Sequence, residues 1–306
     1  MIEKKNVLVI GGSYFAGRIF VILALQNGWQ VTVINRGRYS LGQLGDVTEF
    51  VCDRHDSQKL KDLPLQEEYD AVVDFCAYEE GDILQLSECL PCHFKQYIYI
   101  STADVCESSA SVRNEESKLQ ILKPSDPVGV YTYKKMLLEK ELMDAAKKRD
   151  YIYMILRPVF IYGPFNYAPR ESWYIRHIVK GEAIPHPSDA KGKFQMVYVK
   201  DVARAIMLCV EKQEAAPKVY NLSAPEIMTY DSYVELLRSV SGREFEIYPV
   251  TVDEVLKQGI PLPFPLLERE NALFQGEKIV RELGFTYGDQ KESMRLTFQA
   301  FSRVYQ

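Results

Sequence analysis

The sequence of 306 residues predicts an α/β protein, a doubly wound parallel sheet with a smaller C-terminal lobe. Three observations carry this. Short apolar strands alternate with amphipathic helical segments from residue 5 to about 160. A glycine-rich turn, Gly11-Gly12-Ser13-Tyr14-Phe15-Ala16-Gly17, stands between the first strand and the first helix. Beyond Pro158 the alternation gives way to a Gly/Pro/aromatic-rich stretch, 161–193. Continuous apolar strands between helices imply a parallel sheet covered on both faces. Ligands of such sheets sit beyond the strand C-termini.

The first strand, 7–10, is four apolar, mostly β-branched residues and reads as fully buried. Apolar residues then recur at helical spacing from Phe15 to Gln26. Strand, tight turn and helix N-terminus together make a dinucleotide pyrophosphate site. Glycines let the backbone approach the phosphates, and the helix N-terminus offers free N–H groups and positive potential. Gly11, Gly12, Ser13, Tyr14, Phe15 and Gly17 are the expected contacts, with Tyr14 where many such loops carry a glycine.

The second strand, 31–34, ends at Asn35-Arg36-Gly37, about twenty residues after the turn. An acid there would grip the ribose 2′-hydroxyl of NAD. Asn35 has no charge and Arg36 can pair with a 2′-phosphate, which tilts the cofactor, NAD or NADP, towards NADP. Otherwise Arg36 stacks on adenine or lies in solvent. Asp53, after the third strand, 49–52, either accepts from the adenine amino group or is a turn residue. The fourth strand is 71–75, and the fifth, 97–101, runs into Ser101-Thr102-Ala103-Asp104.

A helix opens at Tyr131-Thr132-Tyr133-Lys134-Lys135 and continues to about Lys147. Tyr131 and Lys135 are four apart and share one face. An ammonium beside a phenol lowers its pKa by stabilising phenolate. Phenolate serves as base towards a hydroxyl, and phenol as acid towards a carbonyl. Thr102 would orient the same oxygen. The remaining elements are strands 153–156, 196–199 and 219–222, a helix over 201–212, and a tail, 229–306, of three or four helices and one strand, 245–250. This divides the chain into a dinucleotide-binding part, 1–164, and a mainly substrate-binding lobe, 165–306, with 195–224 returning to the sheet.

Bulk properties narrow the class. The net charge of −5 argues against a general nucleic-acid binder. No apolar run reaches the roughly 18 residues of a membrane helix. The first strand directly follows Met-Ile-Glu-Lys-Lys-Asn, which leaves no room for a cleavable signal and points to a cytoplasmic protein. Cys89-Leu-Pro-Cys92-His93 matches a haem-attachment pattern, but no second Cys/His pair completes a site and the match reads as coincidence. His177 and His186 stand alone as well, so no metal is expected.

The motifs together resemble an extended, atypical short-chain dehydrogenase/reductase of the NAD-dependent epimerase/dehydratase family, with its Rossmann sheet. The resemblance rests on the glycine turn, Ser101-Thr102, Tyr131…Lys135…Glu139, Leu156-Arg157-Pro158, 197–203, 220–223 and 281–285, nearly the whole chain. It implies Thr102, Tyr131 and Lys135 as catalytic triad, with Lys135 also on the nicotinamide ribose. It places Phe75, Ala77 and Pro158 at the cofactor, and Tyr78, Asn166, Arg170 and Arg269 at the substrate. The implied reaction is hydride transfer at a hydroxyl of a sugar nucleotide, with epimerisation ahead of dehydration or ketone reduction. The family also implies a homodimer formed through 80–90 and 128–147.

Three departures qualify it. Tyr14 is shared with a branch that includes chloroplast stem-loop-binding proteins, and its ring would have to point away from the pyrophosphate. Phe194 stands where many sugar-nucleotide epimerases hold substrate phosphate with an arginine; Arg170, Arg176, Lys193 or Arg269 are the substitutes. Cys106 replaces a usual tyrosine. Asp104 lies where dehydratases carry a proton-transfer acid, with Ala103 in place of their second acid; it is either catalytic or a strand-end cap. The aromatic group Tyr162, Phe165, Tyr167, Trp173 and Tyr174 is either a stacking wall or core between lobes. Rival functions are an NADPH-dependent ketone reductase, an RNA-associated member and a cofactor sensor without turnover.

Overall fold

The computed structural model describes residues 4–109, 111–121, 125–149, 151–214 and 216–306. Residues 1–3 of the leading segment therefore lie outside the described residues. The chain alternates β1 (Asn6–Ile10), α1 (Phe15–Gln26), β2 (Gln30–Asn35), β3 (Val47–Val51), α2 (Ser57–Lys61) and β4 (Glu68–Asp74). It continues with α3 (Asp82–Cys89), β5 (His93–Ile100), α4 (Pro127–Arg149) and β6 (Ile152–Pro158). The second half runs β7 (Phe160–Tyr162), α5 (Glu171–Lys180), β8 (Ile184–Pro187), β9 (Met196–Tyr198), α6 (Val199–Lys212) and β10 (Lys218–Leu222). It ends with α7 (Tyr230–Ser241), β11 (Ile247–Val250), α8 (Val252–Gln258), α9 (Glu277–Leu283) and α10 (Gln290–Tyr305).

Seven parallel strands form one sheet in the order β10-β6-β5-β4-β1-β2-β3. The order reverses beside β1, whose neighbours are β2 and β4, and this opens the ligand crevice at the strand C-termini. Alternation of side chains explains the wholly apolar strand: Val7 and Val9 enter the core on one face, Leu8 and Ile10 the core on the other. Helices α1 and α6 pack together, as do α3 and α4. Two small parallel pairs, β7 with β9 and β8 with β11, lie outside the main sheet.

Tertiary pairing adds what periodicity misses. The stretch 161–193 contains parts of β7 and all of α5 and β8, because short strands gain order only from their partners. Of the segment 195–224, β10 lies in the sheet beside β6, whereas β9 pairs with β7. Helix α4 begins at Pro127, four residues before Tyr131; proline suits a first helical turn, where its missing N–H costs nothing. Among the described residues no helix is long and apolar enough to cross a membrane.

Candidate active site

The turn after β1 owes its shape to its glycines. Gly12 has φ +62°, and a Cβ at Gly17 would lie 2.7 Å from Gly12 Cα, so α1 packs directly on the turn. Gly11, Gly12, Ser13, Tyr14 and Phe15 line a cavity of about 430 Å³. Asn35 and Arg36 join it from the end of β2, Asp53, Arg54 and His55 from the end of β3, and Phe75 and Tyr78 from the end of β4. Tyr14 is among the residues that line this groove, and its ring stacks on that of Tyr39.

The polar groups here are partly committed. Asn35 donates to Glu49 Oε1 (2.6 Å) and accepts from Gly37 N (2.6 Å), so its amide holds the turn and is not free for a ribose. Arg36 is exposed. Asp53 accepts from His55 N (3.0 Å), which together with the adjacent imidazole holds its carboxyl below the usual range. Beneath the cavity Arg54 pairs with fully buried Asp74 (3.0 Å), which also accepts from Tyr97 Oη (2.6 Å). Sequence reasoning missed Arg54 and His55; the signal was an Asp-Arg-His run at the C-terminal end of a sheet strand.

A second cavity, of about 230 Å³, shares Tyr14, Phe15, Phe75, Tyr78 and Tyr167 with the first. It brings together Thr102, Asp104, Tyr131, Lys135, Pro158, Asn166 and Arg170. Lys135 is buried and donates to Ile100 O (2.7 Å) and Ala77 O (3.2 Å). Its Nζ sits 4.5 Å from the Tyr99 ring centroid, 5.0 Å from Tyr78 and 6.0 Å from Tyr131. Ala77 thus serves Lys135 through its carbonyl; fully buried, it lines neither cavity, contrary to its expected cofactor contact.

Proton affinities run opposite to the expectation from spacing. Burial pulls Lys135 down to about 8, although Asp74 and Glu139 favour its charge. The Tyr131 phenol is raised, first by burial and then by Tyr167 and the Asp104 carboxylate. Tyr131 keeps 42% of its surface exposed, so water at the cavity mouth moderates that rise. Desolvation, which depends on remote segments, outweighs the helical proximity of the two residues.

Thr102 Oγ1 donates to Asp104 Oδ2 (3.3 Å) and accepts from Asp104 N (3.2 Å), so Thr102 caps the short turn that carries Asp104, and Asp104 lines the cavity. Burial raises its carboxyl, opposed chiefly by Arg113. The adjoining residue, Ser101, donates to Glu139 Oε1 (2.6 Å), which with Oε2 accepts two nitrogens of Arg157. This buried group ties α4 to the ends of β5 and β6, and so sets Lys135 against Thr102 and Pro158.

The wall of Asp104, Tyr131, Phe160 and Arg170 continues into an outer cavity of about 1050 Å³. Arg170 donates to Ile161 O (3.3 Å), lies over the Phe160 ring, and forms no ion pair within 4 Å among the described residues. Arg113, buried over Phe274 at 4.0 Å, lines the same cavity. Arg269 does not: its side chain is 80% exposed, while the Glu270 carboxylate of the same turn accepts from Leu266 N and Leu267 N. Asn166 lines the inner cavity, but its amide donates to Glu171 and its carbonyl accepts from Ala168 N, so it builds a loop. Phe194 is fully buried and stacked on Phe264 (3.9 Å), a core ring pair where a phosphate-binding arginine was in question. The aromatic group divides: Tyr162 and Tyr174 are core, while Tyr167 lines both inner cavities.

Among the described residues no three His, Cys, Asp or Glu side chains are grouped to hold a metal. An Arabidopsis thaliana protein named chloroplast stem-loop binding protein of 41 kDa b is 28% identical over 253 residues, 78% of this chain and 64% of that one. The chain thus spans less than two thirds of that relative's length. A Vibrio cholerae UDP-glucose 4-epimerase is 26% identical over 72% of this chain and 70% of its own. The crystal structure of a Thermus thermophilus UDP-glucose 4-epimerase in complex with NAD superposes with a TM-score of 0.75 at 20% identity, covering 97% of this chain and 98% of that one. The model of the NAD dependent epimerase/dehydratase family matches residues 7–223, and the chain belongs to that family.

Proposed function

We propose that this protein is an epimerase that binds NAD(P) at the glycine turn and acts on a hydroxyl of a sugar nucleotide. One observation carries the reading: Thr102, Tyr131 and Lys135 line a cavity that shares its wall with the turn. Relatives and structural neighbours named UDP-glucose 4-epimerases, one of them solved with NAD, support the substrate class. The missing room for a Cβ at Gly17 fits a backbone shaped for pyrophosphate.

A bound nicotinamide supplies the site with a hydride acceptor and donor. The protein supplies the rest. Tyr131 exchanges a proton with the sugar oxygen. Thr102 orients that oxygen by redirecting the hydroxyl now held by Asp104. Lys135, pinned by two carbonyls, keeps its amine beside the Tyr131 ring. Arg170, which has no ion pair within 4 Å among the described residues, holds an anionic part of the substrate in the outer cavity. NADP is favoured over NAD, because the Asn35 amide is already bonded while Arg36 and Arg38 stand exposed on the wall of the cavity at the glycine turn.

The test is interconversion of UDP-sugar 4-epimers by protein supplied with NAD or NADP. Tyr131→Phe is expected to lower turnover by about 10²–10⁴-fold while still taking up the dinucleotide. Wild-type protein that binds neither dinucleotide on titration would sink the reading. Salt-sensitive RNA binding by such a protein would move it to the RNA-associated alternative that the Arabidopsis relative's name suggests.

A further inference from the structure

Three aromatic rings from separate segments meet where the two inner cavities join. Tyr14 belongs to the glycine turn, Tyr39 to the loop after β2, and Tyr167 to the loop after β7. Tyr14 and Tyr39 stack with centroids 4.3 Å and planes 11° apart. Tyr167 stacks on Tyr14 at 5.9 Å and meets Phe15 edge-on at 5.9 Å. Tyr14 and Tyr167 wall both cavities, and Tyr39 walls the larger of the two. The rings are nonetheless 36%, 47% and 69% exposed for Tyr14, Tyr39 and Tyr167, so core packing does not account for their assembly.

The assembly is braced from beneath. Arg18 of α1 donates to Ser40 O (3.0 Å) and Ser13 O (3.4 Å) and lies over the Phe165 ring, touching all three segments at once. Glu171 holds the loop of Tyr167 from inside by accepting from Gly163 N and Asn166 Nδ2. Phe15 and Phe165, next to these rings, have φ of +42° and +68°. Bulky residues adopt that region only where surrounding contacts impose it, and such strain gathers at ligand clamps.

We infer that Tyr14, Tyr39 and Tyr167 form a clasp over a bound dinucleotide, with Tyr39 and Tyr167 as cofactor-retaining residues. The inference rests on the dinucleotide reading of the site. A molecule reaching from Arg36 and Asp53 to Tyr131 and Lys135 must pass the Tyr14–Tyr167 contact, which walls both cavities. Because Tyr167 comes from the second lobe, release requires that cross-lobe contact to open. Epimerisation returns the hydride within one cycle and needs no cofactor exchange, so slow release suits it. A reductase, which discards its cofactor at each turnover, would be hindered.

The experiment follows release of NADH and NADPH from loaded protein by fluorescence, after a chase with excess oxidised dinucleotide. Tyr39→Ala, Tyr167→Ala and the double variant are compared with Tyr167→Phe, which keeps the ring. Wild type and Tyr167→Phe are expected to release at one slow rate. Tyr167→Ala is expected to release about tenfold faster, the worth of one ring contact, and the double variant faster still. Alanine variants that release at the wild-type rate overturn the clasp and leave the dinucleotide reading in place. Wild-type protein that loads with neither dinucleotide overturns that reading and the clasp with it. Tyr39 and Tyr167 are surface-exposed, and matching circular dichroism will show that the variants fold.

Discussion

Each lobe fixes backbone near the site with a buried glutamate, and the two glutamates have different partners. Glu139, in the sheet lobe, meets Arg157 in a bidentate pair of 2.9 and 2.6 Å and accepts from Ser101. Glu171, in the second lobe, is equally buried, yet its partners are Gly163 N and the Asn166 amide, with no Lys or Arg nitrogen within 4 Å among the described residues. Burial therefore pushes the Glu171 carboxyl up to about 7, despite those hydrogen bonds. The catalytic helix candidate α4 hangs on matched charge, and the loop of Tyr167 hangs on a group that titrates near neutrality. A rigid floor and a responsive edge are what this difference teaches.

Substitutions can break the comparison. Glu139→Ala leaves Arg157 charged and buried without its partner, and should cost about 3–5 kcal/mol in denaturant unfolding. A loss under about 1 kcal/mol would mean that the pair does not hold the sheet lobe together. Glu171→Gln probes the second lobe through pH. The folded chain keeps the Glu171 proton up to about 7, against 4.5 for an ordinary glutamic acid. Its contribution to stability is thus full below that lower value and lost as pH rises through about 7. Wild type should lose up to about 3 kcal/mol relative to Glu171→Gln across this window, read from unfolding at several pH values. Parallel stability curves would remove the contrast between the lobes.

The smallest effects sharpen the assignment of the outer cavity. Arg170→Ala should raise KM for a UDP-sugar about tenfold, as expected on losing one charge-assisted contact. Arg269→Ala, with its side chain in solvent, should leave KM unchanged and shift stability by less than about 0.5 kcal/mol. Equal effects of the two would place the substrate elsewhere.

Much of the sheet was readable because its signals are local. The wholly apolar run 7–10, the glycines around Tyr14 and the four-residue spacing of Tyr131 and Lys135 each act within one element. Asn35, Asn166 and Ala77 were placed near the crevice, but Glu49, Glu171 and Lys135 take up their polar groups. Those partners come from other elements, and spacing cannot report them. Tyr39 carried no signal and Tyr167 only its place in an aromatic group, since loops without periodicity find their neighbours only in the folded chain.

The sequence by itself determined the alternation of strands and helices, the place of the glycine turn and which hydroxyl, phenol and amine face one crevice. These follow from side-chain period and chain order, which the backbone enforces residue by residue. Only the tertiary structure decided that Lys135 is depressed and Tyr131 raised, that Phe194 is core, and that Arg269 faces solvent. Burial sets all of these, and burial is the work of segments far apart in sequence.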